Sequence, residues 1–155
     1  IPYKRMIDEY EAYALKDSRI YAQANLDLLE ILKAADELKK KGNADKSNRT
    51  LNTAESLAKW LLDNDTNDEF KNNHRLNCLQ IAKRKHCLTA TERLTLTEMT
   101  IKSDTLMIKA GAYLLLGNDE FFEYTLSQMS EEDQNVFRTF PIYIFANKNN
   151  IYTKE

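Results

Sequence analysis

"GAYLLLGNDEFFEYTL", residues 111–126, places two of the chain's three glycines inside a stretch of otherwise helical periodicity. A phosphate cradle needs glycines in a strand-to-helix turn followed by Lys and Ser or Thr, so that backbone amides and a cation face the anion. Gly117 is followed instead by Asn118, Asp119 and Glu120, an acidic turn that repels phosphate. A membrane-packing motif needs small residues four apart in a long apolar span. Gly111 and Gly117 are six apart, with the acids directly behind them. The stretch is therefore a helix stop: Gly117 takes the positive φ that a side chain resists, Asn118 or Asp119 caps the next helix, and Gly111 permits close packing.

Composition extends this reading to the whole chain. Its 155 residues are enough for one domain with a sizeable core and no disulfides. The sequence implies a single helical domain over 1–155, either complete or a fragment of a longer protein. Three glycines, two prolines and a single valine, Val136, leave little material for hairpins and strands, so the fold class is all-α. Cys78 and Cys87 are too few for a disulfide framework, and no twenty-residue apolar span stands out. The expectation is a cytoplasmic protein with no membrane partner, and no metal or cofactor is implied.

Outward from residues 111–126, seven to eight helices are predicted. Tyr3, Met6, Ile7, Tyr10, Tyr13 and Ala14 form one stripe of a helix running to about Lys16, after which Asp17 and Ser18 offer a cap. Arg19 to about Lys40 is apolar on more than one side, and "KKKGNADKSN" follows as a cap and polar loop around Gly42. A third helix is expected from Asn52, where Asn52 and Glu55 have capping-box spacing, with Leu57, Ala58, Trp60, Leu61 and Leu62 inward. The fourth spans roughly Asp68 to Lys85, with Phe70, His74, Cys78 and Ile81 on one stripe. Thr89 and Glu92 box the start of a fifth, which carries Leu94, Leu96 and Met99 and is interrupted at "KSD". Another helix runs from about Asp104 to Gly117, and a short one starts at Ser130 and stops at Pro141. The aromatic end, Phe137 to Tyr152, folds back over the last helix pair or presents an edge to a partner or to another part of a longer chain.

At residues 103–136 the pattern resembles a tetratricopeptide repeat. Ala110 and Tyr113 stand in the first helix, Gly117 at the turn, and Phe122 and Leu126 in the second. Phe122 and Met129 occupy positions where that family prefers alanine, and Gln134 one where it places proline. The resemblance implies a right-handed, tetratricopeptide-like array of stacked antiparallel hairpins. Such arrays act as non-enzymatic interaction or scaffold modules that bind a peptide or helix on their surface.

The polar cluster Lys71, Asn73, Arg75 and Asn77 is the candidate binding site. Charge is uneven along the chain: residues 69–102 carry Lys71, Arg75, Lys83, Arg84, Lys85, Arg93 and Lys102 against Glu69, Glu92 and Glu98. The alternative is therefore a regulatory domain that binds nucleic acid through the basic helix 71–86, with Lys83, Arg84 and Lys85 as its patch. Those cations also suit a helix C-terminus, so a nucleic-acid partner is disfavoured. "DNDTNDEFKNNH", residues 63–74, imitates a calcium loop but has Asp68 where glycine is needed and His74 where the bidentate glutamate belongs. It reads as an interhelical loop. His74 and Cys78, one turn apart, read as core residues and not as zinc ligands. Neither His74 nor His86 follows an arginine at the spacing that all-helical ribonucleases use, and no catalytic residue is assigned.

Overall fold

The structure is a computed structural model that describes residues 3–146 and Tyr152, with side chains from Met6 onward. Every regular element among the described residues is helical: α1 (Tyr3–Ala14), α2 (Ile20–Lys40), α3 (Ala44–Asn64), a 3-10 turn (Asp68–Phe70), α4 (Lys71–Lys85), α5 (Ala90–Lys102), α6 (Leu106–Leu116), α7 (Asp119–Ser127), α8 (Glu131–Phe137) and α9 (Pro141–Ala146). The fold class is all-α, as the composition implies. The chain divides into two compact units, Ile1–Ile81 and Ala82–Glu155. The division falls inside the continuous helix α4, where no change in composition could announce it.

In the first unit α2 and α3 form a long hairpin. Its buried seam is Ala24, Leu28, Leu32 and Ala35 on α2 against Ser47, Leu51, Ala54, Ala58 and Leu61 on α3. The alanines let the backbones approach, and the Ser47 hydroxyl donates to the Ala35 carbonyl at 2.8 Å, so this buried hydroxyl is satisfied inside the seam. The hairpin joint is Gly42-Asn43. Gly42 has φ 83°. The Asn43 amide donates to Leu38 at 2.9 Å and the Gly42 amide to Lys39 at 3.1 Å, closing the last carbonyls of α2. The Asn43 side chain then accepts from the Lys46 amide at 3.3 Å and starts α3.

Helix α3 thus begins eight residues before the expected Asn52. The segment "ADKSNRT" resembles a loop because Asp45, Lys46, Asn48 and Arg49 are polar, but these are the solvent face of a helix whose inner face shows only Ser47 and Leu51. Phe70 also departs from expectation. It lies in the 3-10 turn, whose three residues per turn swing it off the α-helical stripe, and it is 43 % exposed.

In the second unit α6 is central, packed against α5, α7 and α9, with Ile108, Ala110, Gly111, Ala112, Leu114 and Leu115 buried on nearly all sides. It ends as residues 111–126 predict. Gly117 has φ 74°, its amide donates to Leu114 at 3.1 Å, and the Asn118 amide donates to Tyr113 at 3.0 Å. Asn118 then accepts from the Phe121 amide at 3.3 Å and opens α7. Helix α5 starts with the full Thr89–Glu92 capping box and buries Leu96 and Met99 while Leu94 is exposed. Pro141 does not end a helix; it occupies the first position of α9, where its missing N–H is harmless.

The aromatic end packs inward in part, with Phe140 and Tyr143 half-buried and Ile144 exposed. Phe137, Ile142 and Phe145 are buried, and Phe122 lies 5.8 Å from Phe137 and 6.1 Å from Tyr143, ring to ring. Ile151 and the side chain of Tyr3 lie outside the described residues. No helix among those described is long and apolar enough to cross a membrane.

Candidate functional site

A cleft of about 470 Å³ opens in the first unit. Ser18, Arg19, Tyr21, Ala22, Asn25 and Leu26 line one side; Asp65, Thr66, Asn67, Phe70, Asn73 and His74 line the other. Its first wall is the start of α2 and its second is the α3–α4 connection with the opening turn of α4. Its volume falls in the range of sites that seat small ligands or single anchoring side chains.

The floor is polar and ordered. His74 and Asp65 are both buried, and His74 Nε2 lies 2.7 Å from Asp65 Oδ2. Asp65 Oδ1 accepts from the Asn67 amide at 3.0 Å, so this carboxylate fastens the loop to α4. A carboxylate oxygen only accepts, so His74 Nε2 donates to Asp65. Nδ1 is buried and has no hydrogen-bond partner among the described residues. Behind the wall, Asn77 Nδ2 donates to Asn25 Oδ1 at 3.0 Å, and Asn77 Oδ1 accepts from Gln80 Nε2 at 2.9 Å. This chain of amides fixes Asn25 from the rear and leaves its own Nδ2 unused by the described residues.

The mouth differs. Leu26 is 57 % exposed and Phe70 43 %, two large apolar side chains on opposite walls. Asn73 is half-buried and its side chain makes no hydrogen bond among the described residues. Arg19 is the cleft's single Arg or Lys, and it is already engaged: its Nε and Nη2 donate to Asp17 at 2.9 and 2.7 Å. The Arg19 guanidinium holds the Asp17 carboxyl below its ordinary range. The cleft therefore joins exposed apolar side chains at Leu26 and Phe70 to amide and other polar groups, and its one Arg or Lys is already tied to Asp17.

The four polar residues expected to form one site are divided by the structure. Asn73 lines the cleft, and Asn77 supports it from behind. Lys71 Nζ donates to the Leu62 carbonyl at 3.1 Å, where the last turn of α3 favours a cation. Arg75 is exposed, with Nη1 3.3 Å from Asn72 Oδ1, and it is not part of the cleft. The calcium-loop imitation resolves the same way: Asp65 is committed to His74 and Asn67.

The basic segment at the end of α4 does not form a surface patch. Lys83 is buried and its Nζ donates to the Leu115 carbonyl at 2.6 Å, at the C-terminus of α6. Arg84 is 2 % exposed; its guanidinium lies 4.1 Å from the centre of the Phe145 ring, with Nη2 3.4 Å from the Pro141 carbonyl. Of the three, only Lys85 is exposed. Local sequence cannot show this, because both cations are held by residues far along the chain.

Cys78 and Cys87 are both free, and burial pushes the Cys78 thiol up to about 11. No group of three or more His, Cys, Asp or Glu that could hold a metal ion occurs among the described residues. The Asp65–His74 pair is the feature that sequence reading missed. Its signal, an acid in a loop nine residues before a histidine, follows no periodicity. Compared with protein-family models, curated proteins and solved structures, the chain gives no match.

Proposed function

We propose that the protein is a non-enzymatic interaction module, a tetratricopeptide-like stack of helical hairpins, whose first unit binds a peptide segment in this cleft. One observation carries the reading: Leu26 and Phe70, both exposed, line the same cleft as Asn73, whose amide has no partner among the described residues. A peptide group presents one N–H and one C=O, and an asparagine side chain presents the matching pair. An apolar side chain of the ligand seats between Leu26 and Phe70 while its flanking peptide groups bond Asn73 and Asn25. Arg19 is paired with Asp17 and Asp65 with His74, so the lining favours an uncharged segment over a phosphorylated one.

His74 supports binding over catalysis. Its Nε2 is held by Asp65 and its Nδ1 is buried, so the ring offers a substrate no nitrogen. The burial of Lys83 and Arg84 withdraws the support that the basic segment gave to a nucleic-acid partner.

Peptides selected from a random twelve-residue display library against the full chain test the proposal by calorimetry. Asn73→Ala is expected to weaken binding about three- to tenfold, the worth of one hydrogen bond, and Leu26→Asp by more than tenfold. Leu26 is exposed and the Asn73 side chain makes no hydrogen bond among the described residues, so the melting temperature holds. Unchanged affinity in both variants would place the peptides elsewhere and overturn the site.

A further inference from the structure

We infer that α1 positions the cleft wall: Tyr10 and Glu11 hold Trp60 against Tyr21, so that docking of α1 and the binding-ready shape of the cleft form one equilibrium. The ligand side of this inference rests on the peptide reading above. Helix α1 is held by a small patch, since Tyr10 alone is buried among its described side chains. The Tyr10 hydroxyl donates to one oxygen of Asp27 on α2, and Gln23 Nε2 donates to the other at 3.0 Å. The Trp60 indole N–H donates to Glu11 at 3.1 Å.

The rings continue these ties toward the cleft. Tyr10 stacks on Trp60 with centroids 5.8 Å apart, and Tyr21 lies 5.4 Å from Trp60 on α3. Tyr21 lines the cleft, as do Ser18 and Arg19 from the link between α1 and α2. Release of α1 therefore removes the acceptor and the ring that locate Trp60, and frees the link that carries two lining residues, Ser18 and Arg19. A helix held by so few buried contacts opens at a lower free energy than the long hairpin beneath it. Coupling is reciprocal: a ligand that requires Tyr21 in place protects α1, and undocking α1 weakens that ligand.

The test uses the full chain with Tyr10→Phe combined with Glu11→Ala, which removes the polar ties to Asp27 and Trp60 and keeps the Tyr10 ring. Tyr10→Phe combined with Glu11→Gln restores an acceptor for Trp60. The probe is N-acetyl-phenylalaninamide, a neutral apolar side chain between two peptide groups. In the Ala double variant, amide exchange in α1 is expected to accelerate about tenfold, two lost hydrogen bonds' worth, while α2 and α3 keep their protection. The emission of Trp60, the chain's single tryptophan, shifts, the Asn73 and Asn25 side-chain amide signals move, and the probe's Kd rises about threefold or more. The Gln variant recovers most of each change.

Faster exchange in α1 with unmoved cleft signals and unchanged Kd would overturn the coupling. Unchanged exchange would show that these ties do not hold α1 and would overturn it equally. A probe that binds neither wild type nor variant defeats the peptide reading alone, because exchange and the amide signals still decide the coupling.

Discussion

The two hairpins α2–α3 and α6–α7 share a joint and differ in what they build. Gly42-Asn43 and Gly117-Asn118 close them in the same way, with glycine at positive φ, two amides returned to the preceding helix, and the asparagine side chain capping the next. Beyond the joint, the first hairpin has 21 residues in each arm, and its unit buries amides, an acid and a histidine beside a cleft. The second has arms of 11 and 9 residues, and its unit fills the core with rings and uses Lys83 and Arg84 at helix ends. Identical local chemistry at the turn therefore says nothing about use. What separates the units is whether their polar groups are fully committed to the fold.

The largest effect expected in this comparison lies in the aromatic unit. Phe122→Ala leaves a cavity among Phe137 and Tyr143 and should lower stability by about 3–5 kcal/mol in denaturant titration. A loss below about 1 kcal/mol would mean that the ring cluster is not the core of that unit.

The joints rank next. A Cβ at Gly117 meets nothing within 4 Å, so substitution there is strained only by the backbone. Gly117→Ala is expected to destabilise by about 1–2 kcal/mol, and Gly117→Asn by less, because asparagine tolerates that conformation. Equal losses for both would show that space, and not φ, makes glycine necessary.

Alkaline pH probes the first unit. Burial, then the hydrogen bond to Asp27, raises the Tyr10 pKa well above its ordinary value. The phenol stays protonated in the fold, while in the unfolded chain it ionises from about pH 10. Its contribution is therefore complete below pH 10 and is lost as pH climbs toward the raised value. Chemical denaturation across that range should show a decline that Tyr10→Phe makes shallower; an equally steep decline would separate Tyr10 from the stability of α1.

The smallest stability effect is expected at the cleft mouth. Asn73→Ala should change the unfolding free energy by less than about 0.5 kcal/mol, because the side chain makes no hydrogen bond among the described residues. A larger loss would make Asn73 a structural residue like Asn77.

Much of the fold was legible because its punctuation is local. Gly117, Gly42 and the Thr89–Glu92 box each act on backbone within a few residues, and each falls where the sequence predicts. The error at the basic segment arises because a side chain's environment is set by distant chain. Lys83 and Arg84 read as a solvated end because their partners, Leu115, Pro141 and Phe145, come much later. The early start of α3 was hidden because two small or apolar residues, Ser47 and Leu51, carry its inner face alone. Of the candidate site, Asn73 and Asn77 were legible as a polar cluster on α4. The opposite wall, Tyr21, Asn25 and Leu26, had no signal, since only the hairpin brings it across from them.

The central claim is that the cleft takes a neutral apolar side chain flanked by peptide groups. Titration of the full chain with N-acetyl-phenylalaninamide, followed through asparagine side-chain amide signals by NMR, tests it most directly. The account predicts saturable shifts at Asn25, Asn67 and Asn73, with none at Asn72 or Asn135. Shifts that never saturate, or that leave Asn73 unmoved while other amides respond, would contradict it.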